Sequence, residues 1–247
     1  MSHKFSVPIH NYCDRWCERC YMTSKCAIYE DTSGLSPEEI DEHNKKFWQN
    51  ISEQMQQAID LMHEAALRHG VDLDKIISRE HEYSLKRREK NRDHPASTLI
   101  KEYGMMVFNW FKNRDTIQEV GQQIVQNLEL GITDDRETYR RAANLKNCLE
   151  VIQWYELFIH VKIVRALSGK DDDYDATDFQ SDANGSAKIA LIAIERSVKA
   201  WQKLHEFLPR EESQVIKCIH MLKELQGYVE SDFPQAWMFI RPGFDEG

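Results

Sequence analysis

Four of the six cysteines in this chain of 247 residues lie within one stretch of fourteen residues, at Cys13, Cys17, Cys20 and Cys26. Cysteine thiolates are strong ligands for zinc and for iron–sulfur clusters. The loops of three, two and five residues between these cysteines are just long enough for the chain to fold back. The spacing therefore predicts that the four side chains ligate one metal centre.

Two kinds of metal centre use four cysteines, and the spacing favours one of them. Structural zinc sites usually pair two Cys-x2-Cys motifs across a longer loop, whereas this segment has one such motif, at Cys17 and Cys20. A single compact run is more typical of an iron–sulfur cluster, which we therefore favour over zinc. The alternative without a metal is four reduced thiols that pack as small apolar groups beside Tyr12, Trp16 and Tyr21.

The first three of these cysteines, Cys13-x3-Cys17-x2-Cys20, have a spacing that resembles the cluster-binding triplet of radical S-adenosylmethionine enzymes. The resemblance covers eight residues. Enzymes of that family share a β/α barrel and leave one iron of the cluster open, whereas the rest of this chain has a helical pattern and Cys26 is available as a fourth ligand. We therefore infer no activity from the resemblance.

A second candidate site lies in the strongly apolar stretch 151–167. Glu156 and His160 are four residues apart there, so a helix places both on one face. Burial raises the pKa of such a glutamate, and a nearby imidazolium opposes that rise. The pair can ligate a metal or transfer protons, which makes Glu156 and His160 the candidate catalytic residues. The alternative is a buried pair whose hydrogen bonds are all satisfied.

Charge and hydropathy exclude several classes of partner. The chain has 32 Lys and Arg against 41 Asp and Glu, a net charge of −9, whereas nucleic-acid binding requires a positively charged surface. No stretch approaches the roughly 18 apolar residues of a membrane span. The first residues also lack the apolar region of a secretory signal. We expect a cytoplasmic protein with reduced cysteines and without a membrane or nucleic-acid partner.

The elements that position these side chains are predicted to be long helices. Only 16 of the 247 residues are Gly or Pro, which disfavours folds with frequent turns. Apolar residues recur at three- and four-residue steps after the capping sequence Ser36-Pro37-Glu38-Glu39, and Gly70, Gly131 and Gly169 close helices. The predicted helical ranges are 36–70, 74–90, 99–131 with a kink near Asn113, 133–167, 186–208 and 211–230.

These ranges predict an all-α fold with a four-helix-bundle-like core of long helices, an accessory helix over 74–90 and an irregular four-cysteine segment. The predicted divisions are a cysteine-rich metal-binding segment (1–34), the helical bundle (35–232) and an apolar tail (233–247). The tail contains Trp237 and Phe239 and either packs on the bundle or docks a partner.

The function predicted from the sequence is that of a metal-binding helical-bundle protein whose four-cysteine centre has a structural or a redox role. Two alternatives stay open. One is a bundle enzyme that uses Glu156 and His160 beside a structural zinc ion. The other is an interaction module for a protein partner or for a second copy of the chain.

Overall fold

The computed structural model of the chain describes residues 9–29, 45–113, 115–170 and 178–246. Helices and turns, with no strand, make up the regular backbone of these ranges, which confirms the predicted all-α class. The long helices are α1 (Lys45–His69), α2 (Leu73–Arg92), α3 (Pro95–Lys112), α4 (Asp115–Glu129), α5 (Asp135–Lys170), α6 (Asp182–His205) and α7 (Glu212–Asp232). Short 3₁₀ turns lie at Ile9–Asn11, Cys17–Arg19, Thr23–Lys25, Pro209–Glu211 and Ala236–Met238.

Contacts within the chain divide it into two compact units. The first combines the described residues up to Glu89 with those from Arg241 onward, and the second is Lys90–Ile240. The predicted boundary after residue 34 and the predicted helix start at Ser36 lie outside the described residues. The predicted boundary after residue 232 stays a prediction.

The second unit contains the predicted bundle. Helix α5 packs along α6, α6 packs on α7, α7 on α3, and α3 on α5, so that the four helices form a closed ring. Helix α4 also packs on α5. The helix predicted over 74–90 is observed as α2, and its accessory role stays a prediction. The four-helix-bundle-like core is thus confirmed.

The helices that form the bundle differ from the helices that the sequence predicts for it. The predicted helix over 99–131 is two helices, because α3 ends where the Asn113 N–H bonds to the Trp110 carbonyl, at 3.2 Å. The ranges on either side of Pro209 are two separate bundle helices, α6 and α7, rather than one broken arm. Helix α1, expected in the bundle, lies in the other unit.

The centre of the bundle is filled by aromatic side chains and by the small residues of α6. Trp201 and Tyr103 are fully buried, and the Trp110 and Trp201 rings meet edge to face with centroids 5.2 Å apart. Ala187 and Ala190 on α6 are also fully buried, and their small side chains let neighbouring helices approach closely.

Two predicted helix ends are confirmed by their backbone conformation. Gly70 and Gly131 have φ values of +64° and +68°, which only glycine adopts without strain. In each case the following N–H bonds to a carbonyl five residues back, from Val71 to Ala66 and from Ile132 to Asn127, both at 2.9 Å. The expectation for Gly169 is wrong, since α5 continues to Lys170.

The apolar residues after α7 pack on the second unit. Phe239 is 1% exposed, and its carbonyl accepts a hydrogen bond from the Lys188 ammonium. The side chain of Gln180 forms two hydrogen bonds with the backbone of Ile240, at 2.8 and 3.1 Å. Trp237 remains 40% exposed. Of the two aromatic residues expected to pack or dock, Phe239 is therefore part of the core.

None of the helices in the described ranges is both long enough and apolar enough to cross a membrane.

Candidate metal centre

All four clustered cysteines lie in the first unit, in residues 9–29, which we call the cysteine segment. Its backbone turns through 3₁₀ geometry without glycine or proline. The Cys20 N–H bonds to the Cys17 carbonyl at 3.1 Å, and the Cys26 N–H bonds to the Thr23 carbonyl at 3.2 Å. The second, third and fourth cysteines are thus placed by two tight turns.

Backbone amides point at two of the sulfur atoms. The Arg15 N–H donates to Cys13 Sγ and the Met22 N–H donates to Cys20 Sγ, each at 3.4 Å and each two residues after the cysteine. Such donors stabilise negative charge on sulfur, because they place a positive dipole beside the thiolate. Arg15 has a φ of +58°, a left-handed conformation that costs a non-glycine residue about 1 kcal/mol.

Cys17 lies within electrostatic range of the other three thiols. Burial is the main cause that raises the pKa of Cys17, and charges on Cys13, Cys20 and Cys26 raise it further. Burial also raises the pKa of Cys13, against the hydrogen bond from Arg15. A metal cation reverses this balance, because it binds the thiolate form and displaces the proton.

The cysteine segment is not a preformed mononuclear metal site. In the described part of the chain, no three His, Cys, Asp or Glu side chains converge closely enough to hold a metal ion. The donor types are nevertheless those that metals bind, because all four thiols are free and two of them accept hydrogen bonds from backbone amides. Metal binding would have to draw the sulfur atoms closer.

The other two cysteines have different surroundings. Cys148 on α5 and Cys218 on α7 are 2% and 0% exposed, and burial raises the pKa of Cys218 to about 12. The Cys218 thiol contacts the Met106 sulfur at 3.6 Å. These thiols behave as small apolar groups of the bundle.

Glu156 and His160 lie one turn apart on α5, both half-buried. Burial raises the pKa of Glu156, whereas burial and the nearby Lys101 ammonium lower the pKa of His160. Glu156 lines a pocket of about 390 Å³ with Phe108, Phe111, Lys112 and Gln153, and His160 does not line it. An enzymatic role for this pair stays a prediction.

The sequence pattern missed the residues that pack around the cysteines. Ile9 and Met22 are buried in the segment, and Gly243 and Phe244 contact it from the far end of the chain. The dipeptide Pro242-Gly243 is a turn signal, but nothing in it indicates where the turn docks.

No protein-family model, no curated protein and no solved structure matches this chain. The function is therefore inferred from the chemistry of the site.

Proposed function

We propose that the chain binds an iron–sulfur cluster through Cys13, Cys17, Cys20 and Cys26. The observation that carries the proposal is the clustering of four free thiols, two of which accept hydrogen bonds from backbone amides. Iron–sulfur clusters use cysteine thiolates as ligands, and hydrogen bonds to those sulfurs tune their reduction potentials. When bound, such a cluster supplies a cross-link between the loops and a one-electron redox group.

The spacing of the cysteines along the sequence supports a cluster over a single zinc ion. Zinc requires four ligands that converge on one point at about 2.3 Å. A cluster distributes its thiolates over several iron atoms, so its ligand sulfurs are further apart. A single compact run of four cysteines that contains one Cys-x2-Cys motif is more typical of the cluster.

A structural role follows from the composition of the segment. Its buried apolar residues are Ile9, Cys13 and Met22, which is too few for an independent core. Metal binding supplies folding free energy to small segments of this kind, because the ligands are brought together only in the folded state. In the proposed function the cluster therefore stabilises the fold of residues 9–29.

Anaerobic purification of the full chain tests the proposal. We expect a brown protein with a broad visible absorption band and with iron and acid-labile sulfide in equal amounts. Cys17→Ser should lose most of the iron, whereas the matched control Cys148→Ala should retain it, because Cys148 is buried in the bundle. A colourless protein with stoichiometric zinc would show that the site binds zinc rather than an iron–sulfur cluster. A protein without either metal would overturn the proposal.

A further inference from the structure

We propose that the cleft along α5, beneath α3 and α4, binds an amphipathic organic cation, with its ammonium group at Glu156 and its apolar part between α4 and α5. The cleft lies in the second compact unit and does not involve the cysteine segment. It consists of two pockets, of about 390 Å³ and about 350 Å³, and Gln153 lines both of them. The two pockets therefore meet at Gln153, and one elongated molecule can occupy both.

The carboxylate of Glu156 lacks a partner. In the part of the chain that the structure describes, no group donates a hydrogen bond to it and no cation lies within ion-pair distance. Its Oε1 instead faces α3 at Gly104, where a Cβ would lie 3.8 Å away. Burial raises the pKa of Glu156, and no described charge opposes that rise. Half-buried charged groups without a partner cost stability and are concentrated at binding and catalytic sites.

Aromatic rings form part of the wall beside this carboxylate. Phe108 and Phe111 line the same pocket as Glu156. The face of the Phe108 ring already accepts a cation, because the Lys112 ammonium lies 4.4 Å from its centre. Lys112 is exposed to solvent, so its ammonium is free to leave the ring when a ligand enters. A ring face beside an unpaired carboxylate is a suitable site for an organic ammonium ion.

The second pocket suits the apolar part of such a molecule. Apolar side chains of α4 and α5 form most of its wall, namely Ile117, Ile124, Val125, Ala142, Leu145 and Leu149. Gly121 widens it, since a Cβ at this position meets no atom within 4 Å. The two charged residues that line it, Lys146 and Glu150, form an ion pair at 3.6 Å. The unpaired charge of the cleft is therefore the carboxylate of Glu156, which favours a cationic ligand over an anionic one.

Calorimetric titration of the full chain with dodecylammonium chloride, below its micelle concentration, tests the inference. Sodium dodecanoate is the probe of opposite charge. We expect saturable binding of one dodecylammonium ion per chain and much weaker binding of dodecanoate. Shorter alkylammonium ions should bind roughly fourfold more weakly for each methylene group removed, because the apolar pocket buries the chain.

Two charge variants should change the affinity in opposite directions. Glu156→Gln should bind dodecylammonium about 10- to 100-fold more weakly than wild type, because it loses a hydrogen bond between charged groups. Lys112→Gln should bind it about two- to fivefold more tightly, because the Phe108 ring loses a competing cation. Glu102→Gln is the matched control, since Glu102 is exposed on α3 and lines neither pocket. It should bind the ion as wild type does.

A pair of glycine variants tests the position of the apolar part. Gly121→Leu should weaken binding by filling the pocket, whereas Gly227→Leu on α7 should not, although a Cβ at either glycine meets no atom within 4 Å. An equal loss in both variants would overturn the inference.

Three further outcomes would also overturn it: wild-type affinity of Glu156→Gln, tighter binding of dodecanoate than of dodecylammonium, and no saturable binding of dodecylammonium. Unfolding is excluded as the cause of weaker binding by Glu156→Gln if this variant is at least as stable as wild type in urea. We expect this stability, because the substitution removes a half-buried charge without a described partner.

Discussion

The indole N–H of Trp201 donates a hydrogen bond to the hydroxyl of Tyr103 at 3.0 Å, and neither side chain exposes any surface. Trp201 lies on α6 and Tyr103 on α3, two helices that face each other across the ring of four rather than packing along one another. Burial raises the pKa of Tyr103, so its hydroxyl stays protonated. The bond therefore joins two polar groups across the middle of the bundle.

Tyr103→Phe should destabilise the bundle. The substitution leaves the Trp201 N–H buried without this acceptor, which typically costs about 1–3 kcal/mol. We expect a loss of this size in the free energy of unfolding, measured by urea denaturation. Trp201→Phe combined with Tyr103→Phe removes both polar groups and should lose less than the two single variants together.

Tyr139→Phe is the control for this prediction, since Tyr139 is 78% exposed on α5. Its free energy of unfolding should match that of wild type. If Tyr103→Phe proves as stable as Tyr139→Phe, the buried hydrogen bond contributes nothing measurable.

Two helix glycines should respond in different ways to alanine. A Cβ at Gly227 on α7 has open space around it, so Gly227→Ala should stabilise the chain by roughly 0.5–1 kcal/mol through its better helix propensity. A Cβ at Gly169 on α5 would lie 3.3 Å from the Ala183 Cβ and 3.5 Å from the Ala183 Cα. That crowding should offset the gain. Urea midpoints of the two variants test the difference, and an equal rise at both positions would contradict it.

Glu156→Gln should stabilise the chain at neutral pH. Burial raises the pKa of Glu156 above its ordinary value of 4.5, so the folded state holds the proton more tightly than the unfolded state does. Wild-type stability therefore decreases as the pH rises from 4.5 through the raised pKa. Glutamine does not titrate, so the variant should gain over wild type across this window and keep that gain at higher pH.

Urea denaturation at several pH values measures this gain. Comparison of the two proteins at each pH cancels the contribution of His160, whose lowered pKa makes stability fall as the pH drops below 6.5. Glu102→Gln on α3 is the control, because Glu102 is exposed. A gain from Glu156→Gln that is the same at about pH 4 and about pH 8 would rule out titration of Glu156 as its cause.

The sequence predicts the helices themselves better than it predicts which helices pack against one another. Local signals mark helix ends, such as a glycine at Gly70 or Gly131 that must adopt a left-handed conformation. An apolar stripe shows that one face of a helix is buried, but it does not identify the element that covers it. For this reason the sequence predicts α1 as a bundle helix and α6 and α7 as one arm, and the structure differs on both points.

The candidate site shows the same limit. Clustering and spacing of cysteines are local features, so the sequence predicts the four ligands, and their role as ligands stays a prediction. The packing of Gly243 on Met22 joins two ends of the chain that no periodic pattern connects. Contacts of this kind depend on the path of the whole chain and have no local signature.

If the four cysteines bind the proposed metal, its loss should unfold the cysteine segment and leave the bundle folded. The amides of Cys20 and Cys26 are protected by single 3₁₀ hydrogen bonds in a segment with few buried apolar residues. Residues of the bundle such as Ile152 and Ile194 are fully buried among packed helices of the other compact unit. Hydrogen exchange followed by mass spectrometry compares the metal-loaded chain with Cys17→Ser. The variant should exchange faster than the metal-loaded chain over residues 9–29 and over residues 241–245, which pack on them.

The set of amides that exchange faster in Cys17→Ser distinguishes a local role of the proposed metal from a global one. The 241–245 turn should lose protection together with the cysteine segment, because Gly243 and Phe244 pack on Met22 and Tyr21. The amides of α3, α5, α6 and α7 should keep theirs, and Cys148→Ala should keep protection over residues 9–29. If the bundle amides of Cys17→Ser also exchange faster, the two units unfold together and the metal stabilises the whole chain rather than one segment.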